Sequence, residues 1–415
     1  MIKKIVVSFC LLISIVSFAQ NGTSSPYSYF GIGEVKFKGT AENRTMGGLS
    51  FLRDSIHLNL QNPASLSRLS YTTFTVGGGT SETALATYNS ESKAKNTTID
   101  YISVGFPIGK FGVNVSLLPY SSVGYKISSF NPTTNIKEKS LLGNGSINKV
   151  TFGVGYNITS QLSAGINIDS NFGSITTNST TRFNNIQYAT REFNESVASG
   201  LGLSVGLMYN SKLKSKTQFA AGLTITPSTN LNFKNQRIFY REESEQFNGE
   251  IADALNTNTE DSSIKLPSKF SIGLAVGQNK KWQVGAEIVY QNFSSFGNRF
   301  NDISNSSYEN SNVFKFGGYY IPKYNSFTNY FDRVTYRAGF NYQNTGLIVN
   351  GKSINEQNIS FGFGLPLGGS ISNLNIGFEL GKRGTKLGGL VIETYQNLII
   401  GLSLNDKWFS KRKFD

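Results

Sequence analysis

Val150-Thr151-Phe152-Gly153-Val154-Gly155-Tyr156-Asn157-Ile158 is the stretch that decides the fold. Successive side chains of an extended chain point to opposite faces, so Val150, Phe152, Val154, Tyr156 and Ile158 share one face, and Thr151, Gly153, Gly155 and Asn157 share the other. An aliphatic and aromatic face opposed by small and polar residues suits a strand with oil on one side and water on the other. A half-buried strand of a soluble sheet also alternates, so the weight comes from repetition.

The pattern recurs along the chain. Phe270, Ile272, Leu274 and Val276 alternate with Ser271, Gly273, Ala275 and Gly277. Val334, Tyr336, Ala338, Phe340 and Tyr342 alternate with Thr335, Arg337, Gly339, Asn341 and Gln343. Ile359 to Leu365, Leu374 to Leu380 and Leu398 to Leu404 each give one more apolar face. The spacing predicts 14 strands, beginning near 70, 98, 111, 145, 161, 195, 216, 267, 280, 312, 332, 356, 371 and 394. The connections between them alternate long and short: 81–97 is long and Gly109-Lys110 short, 129–144 long and 158–160 short, 178–194 long and 211–215 short. The series continues through 231–266, 278–279, 294–311, 321–331, 344–355, 368–370 and 382–393, and only 321–331 is longer than its turn should be. An even strand number with alternating long loops and short turns is the pattern of an all-β, transmembrane antiparallel barrel, with both barrel termini on the periplasmic side. In the longest loop, 231–266, the stretch Glu250-Ile251-Ala252-Asp253-Ala254-Leu255 reads either as a short amphipathic helix over the barrel mouth or as a surface loop.

Export agrees with this architecture. Lys3 and Lys4 precede an apolar run from Ile5 to Val16, and Ser17-Phe18-Ala19 supplies a small-x-small cleavage site, so 1–19 reads as a signal peptide with Gln20 as the mature N-terminus. A membrane-spanning helix needs about 20 apolar residues, more than this run or any later one supplies. Cys10, the one cysteine, leaves with the signal, so the mature chain has neither disulfides nor thiolate chemistry. The chain is only 38% hydrophobic yet holds 43 Gly, 20 Tyr and 31 Phe, which fits strands apolar on alternate positions. Loss of Lys3 and Lys4 lowers the formal charge from +13 to +11. In a cytosolic protein such a charge points to nucleic acid; in an exported one the counterions are outer-membrane lipid, lipopolysaccharide or acidic ligands.

Residues 20–68 do not alternate and are rich in Gly, Ser and Asn, with Arg44, Arg53, Asp54 and His57 among them. Lying ahead of the first strand, this segment is expected inside the lumen as a plug, the alternative being a tethered periplasmic tail. The barrel then spans 69–415 as one unit, with no domain boundary and no long-period repeat.

Met46-Gly47-Gly48-Leu49 and Asn62-Pro63-Ala64-Ser65-Leu66 resemble the hatch region of FadL-type long-chain fatty-acid transporters. Ser116-Leu117-Leu118-Pro119-Tyr120-Ser121 in the third strand and Leu266-Pro267-Ser268-Lys269-Phe270 at the start of a later one are also similar to that family. The tail Asn405-Asp406-Lys407-Trp408-Phe409 looks like Bacteroidetes members of the superfamily. The resemblance covers the whole mature chain on short motifs. It implies a 14-stranded barrel blocked by a hatch that includes Met46, Gly47, Gly48, Asn62, Pro63 and Ala64. It also implies that apolar ligands enter from outside and leave sideways through a defect in the third strand. Pro119, beside Tyr120, suits that defect because proline cannot donate its ladder hydrogen bond; a plain structural bulge reads equally well.

Inward positions carry Lys149, Asp169, Lys269, Glu287, Arg337 and Glu379, charges that suit pairing with Arg44, Arg53 or Asp54 or a solvated lining, and that argue against a greasy tunnel for fatty acid. Catalysis has little support: a Ser-His-acid system needs a positioned histidine, and the one histidine, His57, falls in the plug. The common zinc sites lack ligands, Glu287 and Glu379 have no identifiable substrate cleft, and no phosphate loop or recognition helix points to nucleic acid. No cofactor is expected. Trp282 and Trp408, near strand ends, suit interfacial aromatic girdles. Two functions remain. The one the motifs favour is passive passage of a hydrophobic small molecule through a hatch-gated barrel with lateral exit near Pro119. The other is a non-transporting barrel serving as a structural or accessory subunit, with protein partners in an outer-membrane assembly or secretion complex.

Overall fold

The computed structural model describes residues 22–407 apart from 53, 132–136, 183–187, 214–215, 244–252, 259–260, 294, 300–302, 304 and 369–370. The expected signal peptide with Cys10, Arg53, Glu250 to Ala252, and Trp408 and Phe409 lie outside the described residues.

The wall is a closed antiparallel barrel of 14 strands. In chain order after a two-residue strand β1 (Glu34–Val35) come β2 (Thr72–Ala86), β3 (Glu91–Ile108), β4 (Phe111–Phe130), β5 (Lys137–Asn157), β6 (Leu162–Thr181) and β7 (Tyr188–Lys212). The seventh wall strand is β8 (Thr217–Thr226) continued by β9 (Thr229–Glu243), and the eighth is β11 (Asp261–Leu266) continued by β12 (Ser268–Gln278). The two interruptions face each other at Pro227 and Pro267, where the ladder lacks an N–H on both sides. β13 (Trp282–Asn292), β15 (Ser311–Tyr320), β16 (Thr335–Val349), β17 (Lys352–Pro366), β18 (Asn373–Gly384) and β19 (Ile392–Asp406) complete the circuit, and β19 pairs with β2 from Ile392↔Ala86 to Asp406↔Thr72. Closure pairs the first and last strands and so removes the two outer sheet edges, a condition for spanning a bilayer with strands. The outward parity of the sequence holds: Phe152, Ile272, Phe340 and Phe361 are exposed, whereas Thr151, Ser271, Arg337 and Ser360 between them are buried.

The strands run well beyond the apolar belt, which corrects the long loops expected from the sequence. β2 and β3 leave only 87–90 of the expected 81–97, β16 and β17 only 350–351 of 344–355, and β18 and β19 only 385–391 of 382–393. Beyond the belt both faces of a strand meet water, so the alternation that marks a lipid-facing strand vanishes and the segment reads as a loop. The largest correction is 231–266, where β9 pairs with β10 (Asp253–Asn258) and β11 in a tall hairpin. Asp253 to Leu255 are therefore strand and not helix. The 321–334 turn, as expected, is longer than its neighbours.

Residues 22–70 run along the inner face of this wall. They carry a short helix α1 (Ala41–Arg44), a 3-10 turn Pro63–Arg68, and the largest share of the buried apolar side chains, including Leu49, Phe51, Leu58 and Leu66. Wall positions that face them are glycine: a Cβ on Gly112 would fall on the Leu66 carbonyl, one on Gly165 on Pro63, one on Gly206 on Asn62, one on Gly339 on Gly47, and one on Gly362 on Thr45. The inward glycines are thus steric requirements of a backbone packed against the wall. We expect Gly112→Val to destabilise the folded barrel by about 1–3 kcal/mol, as overpacking does, read as a lower urea midpoint in a folding-shift gel; an unchanged midpoint would place 22–70 elsewhere.

Candidate functional site

The longest lapse in the barrel ladder among the described residues lies between β3 and β4. β3 and β4 pair from Ile108↔Phe111 only as far as Ile102↔Leu117, and beyond that β3 keeps only β2 and β4 only β5 on the wall. Each strand carries an extra residue where they part. Asp100 has no partner between Gly77↔Tyr101 and Gly78↔Ile99, and Tyr120 has none between Pro119↔Asn148 and Ser121↔Ile147. Such bulges bend a strand and re-aim its side chains. After Tyr120 the in-out alternation of β4 stops, and Ser121 through Tyr125 are all buried, so the strand has turned into the lumen.

The N-terminal segment occupies the wedge. β1 pairs antiparallel with the freed edge of β4, Glu34↔Ser122 and Val35↔Ser121. The Lys36 N–H donates to the Tyr120 carbonyl (3.0 Å), Ser121 Oγ to the Ile32 carbonyl (2.8 Å), and the Gly124 N–H to Ser28 Oγ (3.1 Å). Gly33 sits between them at φ 91°, where a Cβ would strike the Ser122 carbonyl. On the other edge, Ser24 Oγ lies 3.0 Å from the Asn96 side-chain amide, and Arg44 reaches Asp100 at 2.9 Å.

Buried ion pairs hold the segment there. Glu34 accepts from Arg383 of β18 (2.9 Å) and from Lys36 (3.1 Å), and Arg383 also pairs with Glu393 of β19 (2.6 Å). Lys38 pairs with Glu356 of β17, which the Tyr395 hydroxyl also contacts (2.6 Å). Arg44 grips Glu379 through Nε (3.1 Å) and Nη2 (2.5 Å). Burial alone would raise the Glu34 carboxyl, but Arg383, Lys36 and Lys38 outweigh it and hold Glu34 well below the usual carboxylate range. Removing one partner of such a pair strands a buried charge, at a cost of about 3–5 kcal/mol.

The residues singled out from sequence fall as follows. Met46 packs against Gly317; Gly47 and Gly48, at φ 69° and 82°, end α1, and the Gly48 carbonyl accepts from Lys315 Nζ (2.8 Å). Asn62 caps the 3-10 turn through the Ala64 N–H (3.0 Å) and points its amide N–H at the Leu207 and Leu223 carbonyls, and Pro63 and Ala64 lie on Gly165. Of the lumenal charges, Glu379 meets Arg44, and Glu287 accepts the Ser50 N–H (2.6 Å) and Lys315 (3.1 Å). Lys149 and Asp169 pair with each other (3.2 Å), and Arg337 donates to Asn375 (2.9 Å). Asp54 turns to His57 (2.7 Å) and, among the described residues, makes no ion pair with the wall. Glu287 and Glu379 are tied to different partners and form no carboxylate pair. Sequence reasoning missed Glu34, Lys38, Glu356, Arg383 and Glu393, because Arg383 and Glu393 sit where strand parity was unassigned and the others have no local signature.

Two cavities adjoin the break. The larger, about 330 Å³, reaches Tyr120 and is amphipathic, with Phe30, Ile32 and Leu266 facing Lys149, Asp169 and Lys269. The smaller, about 90 Å³, lies on the β3 side among Ser24, Asn96, Asp100, Arg44 and Arg383, so its surroundings are polar and charged.

A protein-family model, BamG, matches residues 1–415. The chain belongs to the BamG family. No curated protein matches it. Among solved structures it is similar to the toluene transporter TbuX of Ralstonia pickettii (TM-score 0.58, 15% identity, 89% of this chain and 99% of that one). It is also similar to the CymD monoaromatic hydrocarbon channel (0.58, 14%, 91% and 99%) and to a Pseudomonas aeruginosa FadL homologue (0.61, 13%, 90% and 98%). At these identities the likeness establishes the FadL-type barrel fold.

Beside the ion pairs to the wall, the N-terminal segment of this BamG-family barrel carries an internal pair between Asp54 and His57. Burial pushes the His57 imidazole down, but the adjacent Asp54 carboxylate prevails and raises it above its ordinary value, while His57 in turn lowers Asp54. The histidine therefore stabilises the segment fully below its unfolded pKa of about 6.5, and that contribution is lost as pH rises through the raised folded value. Hydrogen–deuterium exchange at 54–58, corrected for intrinsic rate, should accelerate as pH climbs above about 6.5, and His57→Gln should abolish the step; a flat profile in the parent would refute the linkage. The β1 register makes a second expectation. In a Cys10→Ser background, Val35→Cys with Ser121→Cys should form a disulfide on mild oxidation, whereas Val35→Cys with Ser128→Cys should not; the reverse pattern would remove β1 from the β4 edge.

Proposed function

We propose that this outer-membrane barrel serves as a non-transporting accessory subunit of an outer-membrane assembly complex, with its N-terminal segment as a permanent plug and both termini in the periplasm. The observation that carries this reading is the filling of the β3–β4 break by residues 24–36, clamped by buried pairs at Glu34, Lys38 and Arg44. An apolar solute leaving sideways past Asp100, Arg44 and Arg383 would have to disrupt their pairs with one another and with Glu379, Glu34 and Glu393, charges each costly to leave unpaired. Membership of the BamG family accords with this reading. This reverses the order in which the motifs alone rank the two functions, because Pro119 and the hatch motifs are legible without the clamp that closes them.

A second reading rests on the cavity of about 330 Å³ that reaches Tyr120: passive uptake of a hydrophobic small molecule, with Pro119 and Tyr120 at a lateral exit and Met46, Gly47, Gly48, Asn62, Pro63 and Ala64 in a hatch that moves. The deciding experiment is capture of the tagged protein from gently solubilised outer membranes, with mass spectrometry of co-purifying proteins and of extracted lipophilic molecules. We expect a stoichiometric protein partner and no enriched lipophile. A lone barrel carrying one specific apolar molecule would overturn the accessory reading in favour of transport.

A further inference from the structure

The turn between β15 and β16 is built where a barrel of this kind needs only a few residues. Residues 321–334 are held in one shape by their own polar groups. The Lys323 N–H donates to the Asp332 carbonyl (2.8 Å), Ser326 Oγ and Asn329 Nδ2 donate to the Asp332 carboxylate (3.0 and 3.2 Å), and Asn329 Oδ1 accepts the Phe331 N–H (3.1 Å). A turn so braced with polar bonds would ordinarily point polar residues at water. This one presents Phe327 fully exposed, at 101%, Phe331 at 68% and Tyr324 at 43%.

The direction in which it leans identifies what it meets. Tyr336 shares the outward parity of Phe340 and packs edge-on against Phe363, itself an outward-facing residue of β17 (5.8 Å). The Tyr336 hydroxyl donates to the Phe331 carbonyl (3.3 Å), and the Tyr330 hydroxyl donates to the Pro366 carbonyl at the end of β17 (3.1 Å). Val334, two residues before Tyr336 and of the same parity, is only 2% exposed. The turn has therefore folded outward over the lipid-facing side of β16 and β17 instead of closing the lumen. Its cations flank the rings: Lys280 stacks on Tyr324 (4.3 Å) and Arg333 on Tyr330 (5.4 Å). Rings with basic side chains beside them, continuous with an apolar belt, match the headgroup layer of a bilayer, where aromatic rings anchor and lysine and arginine meet phosphate.

We propose that 321–334 is an interfacial anchor that lies in the phospholipid headgroup layer at the short-turn end of the barrel, with Phe327 and Phe331 inserted and Lys280 and Arg333 facing phosphate. The proposal does not depend on whether the barrel transports or assembles. The mature chain's lack of cysteine allows a clean test: spin labels at Phe327→Cys, Phe331→Cys and, as a control in the opposite turn, Lys352→Cys, each in the full mature chain in nanodiscs of phosphatidylethanolamine and phosphatidylglycerol. Power saturation should show the labels at 327 and 331 several-fold more accessible to oxygen relative to a water-soluble nickel chelate than the label at 352. If the chelate reaches 327 and 331 as readily as 352, the turn stands in water and the anchor is refuted, leaving these rings as a surface for a protein. Two independent labelled sites keep the outcome readable should one variant fail to fold.

Discussion

Every backbone N–H and C=O in a bilayer has to find a partner within the protein, and the architecture of this chain follows from that demand. Neighbouring wall strands meet it through the antiparallel ladder, with a short skip at 200–204 of β7 opposite 226–231, and the β3–β4 junction meets it only up to Ile102↔Leu117. Above that point the bulges at Asp100 and Tyr120 splay the two strands, and the chain supplies its own remedy in β1, whose backbone completes part of the β4 edge. The N-terminal segment is thus a missing piece of the wall as well as a filling for the lumen.

Holding that piece in place explains the charge distribution inside. Burying a carboxylate or guanidinium is unfavourable unless it is paired and hydrogen-bonded, and the lumen satisfies this by matching Glu34, Lys38 and Arg44 of the segment with Arg383, Glu356 and Glu379 of the wall. The pairs are specific in register, because a segment shifted by one residue would put each charge opposite a wrong or absent partner. Glycine on the wall complements them: where the ion pairs fix position along the lumen, Gly112, Gly165 and Gly339 let the backbone approach closely enough to use it.

The same geometry bears on function. A barrel with this fold conducts only if its plug yields, and here yielding would break several buried pairs and a strand pairing at once. That is the ground on which a closed accessory subunit is proposed over passage at Pro119, although the cavity beside Tyr120 is large enough to hold a small amphipathic molecule.

Residues 150–158 and their repeats determined the barrel, its strand number and which side chains face lipid, because alternation is a local property enforced by the pleat. Lumenal Lys149, Asp169, Glu287 and Glu379 were legible for the same reason. The hairpins beyond the belt were not, since strands wetted on both faces carry no periodic signal, and 231–266 accordingly reads as a loop until β9 and β11 are seen to pair. What no local pattern encodes is which inward charge meets which. Glu34 and Arg383 are separated by most of the chain, and Asp100 becomes a partner of Arg44 only because a bulge turns it inward. Tertiary structure alone decided that the break is filled and ionically locked, because closing a barrel brings together residues whose encounter depends on strand register and not on spacing in the sequence.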